Sequence, residues 1–243
     1  MTITKELLER CYGERFCAEG FLGVDPCGVV YELTGHTSRK LDIELGALFV
    51  AMISWGNRKA IRSAARHMLG VEMGWEPAAF VLEGRFRDSY LSARNGCVYR
   101  TLNREAFVEV CENIRAALGE AGCESMEDFF RGRCIEEVIG VLAEWLRPAK
   151  LGRFGVSACK RICMFLRWMV RRGRPDLGLW GSFDQRDLYA VMDVHVCGLT
   201  AELTGMRQAS WRSCRRLTEI FREWDAEDPL KYDVALMTVA DGV

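Results

Sequence analysis

Residues 151–160 combine glycines and cations in a pattern that suits anion binding. The segment reads L-G-R-F-G-V-S-A-C-K, with Gly152 and Gly155 three residues apart. Glycines permit a tight turn in which backbone amides converge, and the helix predicted to follow adds its dipole and its own free amides. Together with flanking cations these groups favour a nucleic-acid phosphate. The expected contacts are Gly152, Arg153, Gly155, Ser157, Arg167 and Arg171.

The charge distribution allows two interpretations. The chain has 33 basic and 34 acidic residues, so its net charge of -1 gives no hint of a polyanionic partner. The stretch 147–174, however, holds nine Lys/Arg residues and no acid, which gives it +9 and leaves -10 for the rest. Such segregation fits an electrostatic footprint for phosphate, but also a solvated cationic face with acidic neighbours. Two glycines between helices likewise fit an ordinary helix–turn–helix connection.

The elements that must position these residues are predicted to be helices, because the hydrophobic periodicity of the chain is helical almost throughout. Apolar residues return at three- and four-residue steps. The stripe of Leu41, Leu45, Leu48, Phe49 and Met52, with the uncharged run that begins at Leu45, predicts a helix buried on most sides. Ser125 with Asp128 and Ser182 with Gln185 resemble capping boxes. The letters S-A-R-N-G at 92–96 indicate a turn. The sequence therefore predicts an all-α fold, with further helices near 58–69, 104–118, 135–146, 157–172 and 211–224.

Composition sets the remaining limits. With 243 residues, 49% of them hydrophobic and 28% charged, the chain is typical of a globular protein in one helical unit, 1–243, without a flexible linker. Its longest uncharged stretch, Leu45–Asn57, is shorter than the ~20 residues of a membrane span, and the charged N-terminus lacks a signal pattern. We therefore expect a cytoplasmic protein with no membrane partner and no obligate protein partner.

The cysteines predict neither a disulfide framework nor a metal site. There are eleven cysteines and three histidines, with no C-x-x-C pair. An odd number of scattered cysteines is typical of reduced, mostly buried thiols that behave as small hydrophobes. We expect no metal and no cofactor.

Three segments carry a family resemblance. They are S-A-C-K-R-I-C-M-F-L-R-W-M-V-R from Ser157, W-G-N-R at 55–58, and D-P-L-K-Y-D-V-A-L at 228–236. They closely resemble an uncharacterised bacterial family, domain of unknown function twenty-four hundred, over nearly the whole chain. More distantly, the layout is similar to the helix–hairpin–helix DNA glycosylases, particularly the archaeal-type 8-oxoguanine glycosylases. That similarity implies two helical lobes, one of about 1–40 plus 175–243 and one of about 41–174, with a helix–hairpin–helix element at 135–172.

The distant resemblance also implies site residues. Lys160 falls on the glycosylase lysine, and Asp193 falls on its aspartate because M-D-V-H-V is similar to V-D-T-H-V. Asn57 and Arg58 fall on the loop that fills the gap left by an extruded base. Trp55, Trp168 and Trp180 are candidate walls for a base pocket, with core packing as the alternative.

The implied chemistry is base excision. A neutral lysine amine attacks the sugar C1′ and forms a Schiff base, while a carboxylate stabilises the cationic sugar. Partial burial, the helix N-terminus and Arg161 would each favour the neutral amine of Lys160. The expectation is a DNA glycosylase with AP-lyase activity on an oxidised or otherwise damaged base, with DNA or another nucleic acid as partner, near the nucleoid.

Several alternatives stay open at this stage. Lys160 fits a solvated lysine in a first helical turn, and Asp193 fits a helix cap, a role compatible with catalysis. His195, flanked by valines, is typical of a hydrogen-bonded core histidine rather than a catalytic base. The competing function is a non-catalytic nucleic-acid-binding protein that keeps the fold; chemistry on a small substrate is less favoured because no nucleotide or metal motif occurs.

Overall fold

The computed structural model describes residues 2–89 and 97–240, and helices dominate both ranges. The predicted all-α class is confirmed. Two short antiparallel strands, β1 (Cys97–Tyr99) and β2 (Leu102–Asn103), form the sheet found in these ranges. The predicted turn at 92–96 lies outside the described residues. No helix in the described ranges combines the length and apolar character that crossing a bilayer requires.

The chain divides into two compact units. One unit contains residues 1–21 and 152–243, and we call it the terminal unit; the other contains residues 22–151, and we call it the central unit. These boundaries differ from the predicted lobes: residues 22–40 belong to the central unit, and residues 152–174 belong to the terminal unit. The two segments predicted to form one helix–hairpin–helix element, at 135–146 and 157–172, therefore lie in different units.

Helix α4 (Lys40–Ile53) is the core of the central unit, as its uncharged run predicts, and every residue after Lys40 is buried. Two of its buried residues are acids. Asp42 Oδ1 accepts the Ala78 amide at 2.8 Å, and Glu44 accepts the Met126 amide at 2.6 Å. These carboxylates satisfy amides at the starts of two other helices, which is how α4 carries acids without leaving them unpaired. The other helices of this unit are α3 (Cys27–Thr34), α5 (Arg58–Arg66), α6 (Pro77–Leu82), α7 (Arg104–Ala121), α8 (Met126–Phe130) and α9 (Ile135–Trp145).

Helix α10 (Lys160–Val170) is the buried helix of the terminal unit. Its residues from Ile162 to Val170 are all buried, including the apolar set that the sequence assigns to the core. It begins three residues later than predicted because Cys159 has φ 48°, which is left-handed and outside a right-handed helix. The unit also contains α1 (Lys5–Arg10), α11 (Val194–Leu199), α12 (Ala201–Thr204), α13 (Trp211–Trp224) and α14 (Lys231–Ala240); α2 (Ala18–Val24) includes the boundary between units.

Of the two predicted helix N-caps, one is confirmed and one is wrong; the predicted burial of most cysteines is confirmed. The Ser125 hydroxyl accepts the Asp128 amide at the start of α8, as predicted. At 182–185 the prediction of a helix start at Ser182 is wrong: a short 3₁₀ turn, Gln185–Asp187, is capped by Asp184. Seven of the eleven cysteines are buried, which confirms the prediction that most of them are buried, and all eleven are free thiols.

Candidate active site

Lys160 and Asp193 form an ion pair in the terminal unit. Lys160 Nζ donates to Asp193 Oδ2 at 2.8 Å, although the two residues are 33 positions apart. The side chains are 36% and 30% exposed, so both remain within reach of a ligand. The structure thus brings together the two residues that the sequence predicts to be catalytic.

Asp193 also begins helix α11. Its Oδ1 accepts the Val196 amide at 2.8 Å, so one oxygen caps the helix while the other faces Lys160. Burial raises the pKa of Asp193, but the charge and hydrogen bond of Lys160 and the amides of Val196 and His195 outweigh it and hold this pKa below its usual range. The carboxylate is therefore ionised at neutral pH. The predicted cap and the proximity to Lys160 occur together.

The glycine turn at residues 152–157, directly before α10, is closed by one carbonyl, and we use the name hairpin for this turn alone. Arg153 C=O accepts the Ser157 amide at 2.9 Å and the Ser157 hydroxyl at 3.0 Å. Gly152 has φ 105°, and a Cβ there would come within 2.3 Å of Ser157 Oγ, so this turn requires glycine. Gly155, with φ 81°, also needs the left-handed region. The predicted tight turn is present, and the side chain of Arg153 is exposed.

Two neighbours of Lys160 have perturbed acidity. Burial raises the pKa of the Cys159 thiol, which keeps it protonated and unreactive. Burial lowers the pKa of Arg161 to about 10, so this guanidinium is still a cation at neutral pH. Lys160 is therefore followed in the chain by a cation, Arg161, and is in contact with an anion, Asp193.

The segment that carries Asp193 is fixed from two helices. Thr218 of α13 accepts the Ala190 amide at 2.9 Å, and Cys214 of the same helix donates its thiol to the Ala190 carbonyl at 3.2 Å. Asp233 of α14 accepts the Val191 amide at 2.9 Å. These contacts immediately precede Asp193, so its position relative to α10 is determined by tertiary hydrogen bonds rather than by the loop alone.

Arg167 and Arg171 do not fit their predicted role in phosphate contact, because both are buried. Arg167 donates to Asp176 at 3.1 Å and pairs with Asp233. Arg171 donates to both carboxylate oxygens of Asp228, at 2.8 and 2.7 Å, and to Asp176 at 3.0 Å. A charge enclosed by such partners is unavailable to a ligand.

The contacts of the K-Y-D segment, residues 231–233 of the third quoted motif, show that it has a structural role. Besides Asp233, it contains Lys231, which pairs with Asp225 at 2.6 Å, and Tyr232, which donates its hydroxyl to Glu9 at 2.5 Å. Burial and the acceptor Glu9 raise the pKa of Tyr232. The motif therefore ties α14 to α1 and α10. The sequence offered a signal for this: a basic stretch without acids needs carboxylates from elsewhere, and the motif supplies two of them.

The remaining predicted residues of the terminal unit separate into core and surface. Trp168 and Trp180 are fully buried, and Trp180 packs against Phe165 with ring centroids 5.6 Å apart, which favours the alternative of core packing. His195 is exposed, so its interpretation as a core histidine is wrong. Val194 beside it is 82% exposed, which leaves an open surface directly after Asp193.

The W-G-N-R segment lies in the central unit. Asn57 is exposed and accepts the Ala60 amide at 3.1 Å, so it caps α5, and Arg58 is half-buried. Trp55 is half-buried; the guanidinium of Arg100 lies 4.1 Å from its ring centroid, and Tyr99 donates its hydroxyl to its carbonyl at 3.3 Å. An open cavity of about 420 Å³ adjoins this segment, with Ile53, Ala60, Ser63, Ala64, His67, Met68, Val98 and Tyr99 in its lining.

In the ranges 2–89 and 97–240, no group of three or more His, Cys, Asp and Glu side chains is arranged to hold a metal ion. The Lys160–Asp193 pair has groups suited to a different kind of chemistry. It offers an amine that can act as a nucleophile and a carboxylate that can accept its proton.

The comparison with protein families gives one result. The family described as protein of unknown function, DUF2400, matches residues 25–240, a range that includes α4, the hairpin, the Lys160–Asp193 pair and the K-Y-D segment. No curated protein and no solved structure matches the chain significantly. Because the family match spans most of the sequence, the chain belongs to the DUF2400 family.

Proposed function

We propose that this protein is a base-excision DNA repair enzyme, a glycosylase with AP-lyase activity that uses Lys160 to form a Schiff base on a damaged nucleotide. The observation that carries the proposal is the 2.8 Å contact between Lys160 Nζ and Asp193 Oδ2, with both groups partly exposed. An amine and a carboxylate in contact, beside a glycine hairpin and an open surface, support this reaction.

The first step uses both residues. Asp193 accepts a proton from Lys160 Nζ, and the amine lone pair then forms a bond to the sugar C1′. The N-glycosidic bond breaks, the base leaves with its electron pair, and the proton on Asp193 passes to the base. Once it has given up that proton, the carboxylate of Asp193 is ionised again and faces the positive charge on the sugar-bound nitrogen.

The second step opens the sugar ring. The C1′–O4′ bond breaks and one proton moves from the lysine nitrogen to O4′, which leaves a protonated Schiff base between Lys160 and C1′. A base, for which Asp193 is the candidate, then takes a proton from C2′; the C2′=C3′ double bond forms, the C3′–O bond breaks, and the 3′ phosphate leaves with its electron pair, which cleaves the strand. At a pre-formed abasic site the same amine condenses with the aldehyde and releases water.

Borohydride trapping tests the proposal, because hydride reduces the Schiff base to a stable amine. Duplexes would carry an abasic site, 8-oxoguanine, uracil or an oxidised pyrimidine. We expect a covalent adduct with the natural chain and its loss in Lys160→Ala. Asp193→Asn should slow adduct formation by at least tenfold, in line with the ~10²–10⁴-fold contribution of general acid–base groups.

Two control variants sharpen this experiment. Lys160→Arg keeps a cation beside Asp193 but has no amine that condenses with C1′, so it should form no adduct. Lys59→Ala removes an exposed lysine of the central unit and should form adduct normally. An adduct that persists in Lys160→Arg would contradict the assigned nucleophile, and base release without any adduct would contradict the Schiff-base mechanism.

The second candidate is a non-catalytic nucleic-acid-binding protein. One observation favours it: both oxygens of Asp193 have structural partners, Lys160 of α10 and the Val196 amide of α11, so the pair also joins two helices. In this case the natural chain would bind nucleic acid in a salt-sensitive manner, and neither adduct nor base release would occur with any duplex.

A further inference from the structure

Four exposed arginines of the terminal unit carry unneutralised charge. Within the described part of the chain, none of the four makes an ion pair or a side-chain hydrogen bond to an acid. Three other exposed arginines of the same unit are paired: Arg174 with Glu19, Arg186 with Asp184, and Arg216 with Glu219. Arg10 and Arg172 are exposed without an ion pair as well, but they lie on other segments of the described chain. We use the name arginine patch for the four residues on the hairpin and around the start of α13: Arg153, Arg207, Arg212 and Arg215.

Tertiary contacts bring the hairpin arginine next to the others. The Val156 carbonyl of the hairpin accepts the Trp211 amide of α13 at 3.1 Å, and the rings of Phe154 and Trp211 are 5.0 Å apart. Arg153 precedes Phe154 directly, and Arg212 follows Trp211 directly. The hairpin and the start of α13 therefore present their cations on adjoining surface.

The other members of the patch are fixed by the local fold. Arg212 and Arg215 are three residues apart on α13, so they share one face of the helix. Ser213 of that helix donates its hydroxyl to the Gln208 carbonyl at 2.9 Å, which folds the segment carrying Arg207 back onto the first turn. The patch is thus built from three chain segments.

A positive charge at the start of α13 is unfavourable for the stability of that helix. The first turn of α13 has no acid, and the positive end of its dipole opposes cations there by a few tenths of a kcal/mol each. The first-turn amide of Ser213 is already satisfied by the hydroxyl of Ser210, so the surface charge comes from side chains. Arg212, a first-turn cation without an acidic partner, is suited to an anionic ligand.

The patch connects to the Lys160–Asp193 pair at two points. The hairpin that carries Arg153 ends three residues before Lys160. On the other side, the thiol of Cys197, on the helix that Asp193 caps, donates to the Met206 carbonyl at 3.7 Å, directly before Arg207. Two segments of the patch are therefore joined directly to the elements that carry Lys160 and Asp193.

We infer that the arginine patch binds the sugar–phosphate backbone of the DNA strand whose nucleotide reaches Lys160. This inference rests on the proposed function for the identity of the partner. All four cations are arginines, whose planar fork matches phosphate oxygens in two-point hydrogen bonds. The patch replaces the buried Arg167 and Arg171 as the source of phosphate contacts.

Salt-dependent binding tests the patch. The affinity for a fluorescent 20-base-pair duplex with an abasic-site analogue would be measured by anisotropy over a series of NaCl concentrations. Each phosphate contact contributes about 0.9 to the slope of log affinity against log salt. The double variant Arg212→Gln/Arg215→Gln should therefore lower the slope by about 1.8 and weaken binding at least tenfold at low salt.

The matched control is Arg216→Gln on the same helix, because Arg216 is exposed but paired with Glu219 at 3.6 Å. It should change the slope by less than half as much as either single variant, Arg212→Gln or Arg215→Gln. Circular dichroism of every variant would verify that α13 stays folded. An unchanged slope in the double variant would overturn the patch, whatever the trapping experiment shows.

The outcomes separate the patch from the enzyme. A natural chain that binds duplex through these arginines but gives no adduct supports the patch and overturns catalysis. Adduct formation with normal affinity in the double variant supports catalysis and overturns the patch. Binding to phosphatidylglycerol vesicles, with no binding to duplex, would overturn DNA as the occupant.

Discussion

The charged side chains at the two ends of helix α10 differ in their exposure to solvent. Lys160, Arg167 and Arg171 are spaced by seven and four residues, so they project from the same face of the helix. At the first end, Lys160 and its partner Asp193 are each about one-third exposed. At the other end, the side chains of Arg167 and Arg171 are at most 2% exposed. The difference lies in what covers the face, not in the face itself.

Burial at the second end is possible because every donor of Arg171 has an acceptor. Its guanidinium reaches Asp228, Asp176, the Tyr12 hydroxyl and the Gly173 carbonyl. Burial lowers the pKa of Arg171, but its carboxylate partners raise this pKa by more than burial lowers it. The net shift is upward, and the guanidinium stays charged. A buried pair is costly to break, whereas an exposed pair contributes little to stability. The Lys160–Asp193 pair is therefore the one whose chemistry can be altered without losing the fold.

The largest expected effect comes from Asp176→Asn at the buried end. This carboxylate serves two guanidiniums, and its own side chain is fully buried. The amide keeps the shape but removes the charge, which leaves Arg167 and Arg171 each short of one anionic partner. We expect the free energy of unfolding to fall by about 3–5 kcal/mol, measured by urea unfolding at pH 7.

The control for this variant is Glu219→Gln, which removes the acid from the exposed pair with Arg216. It should change the free energy of unfolding by about 0–1 kcal/mol. If Asp176→Asn cost no more than this control, the claimed contrast between the two ends of α10 would be lost.

Substitutions of Asp233 test whether the buried end of α10 helps to position Asp193 at the exposed end. One of its oxygens pairs with Arg167 and the other accepts the Val191 amide, two residues before Asp193. Asp233→Asn should cost about 1.5–3 kcal/mol, since the acceptor of the Val191 amide is kept while the charge-assisted contact with Arg167 is lost to an NH2 group that cannot accept. Asp233→Ala should also expose the Val191 amide, which hydrogen exchange would detect. Equal exchange at Val191 in the two variants would show that Asp233 does not fix this segment.

The sequence was sufficient for the fold class and for most helices. Periodicity identified α4 as buried and located α7, α9 and α13 closely, because their apolar positions are local information. It missed the start of α10, where a left-handed Cys159 depends on the hairpin before it. It also misassigned residues 182–185, where Asp184 caps the turn instead of Ser182. Ends of elements depend on tertiary context more than their interiors do.

The sequence was less informative about the charged residues. Spacing placed Arg167 and Arg171 on the face of Lys160, but their partners Asp228 and Asp233 lie 57 and 66 residues away along the chain. No local pattern distinguishes an arginine that a distant aspartate will cover from one that stays in solvent. The unpaired arginines of α13 were missed for the same reason, since their lack of partners is visible only in the folded chain.

A smaller effect is expected from Lys160→Gln at the exposed end. The variant removes the charge that faces Asp193 but keeps a polar side chain. Because solvent screens a pair that is one-third exposed, the free energy of unfolding should fall by less than about 1 kcal/mol. The same urea experiment measures it beside Asp176→Asn. A loss of 3 kcal/mol or more would make Lys160 a structural residue and would weaken its assignment as a nucleophile.

The smallest effect concerns the pH dependence of the Asp193 contribution. Its pKa is lowered in the folded protein, so folding favours the ionised form. The stabilisation is fully present above the pKa of the unfolded chain, about 3.9, and is lost as pH falls through the lower pKa of the folded state. The comparison of the natural chain with Asp193→Asn isolates this charge, because asparagine caps a helix about as well as aspartate.

The difference in unfolding free energy between these two proteins should thus be constant from pH 7 to pH 5 and should shrink below about pH 4. Other carboxylates with lowered pKa values, such as Asp184 and Asp225, are common to both proteins and cancel in the difference. A difference that grew on acidification would mean that folding favours protonated Asp193. The ionised partner assumed for Lys160 would then be absent, and the exposed end of α10 would lack the base that the proposed reaction needs.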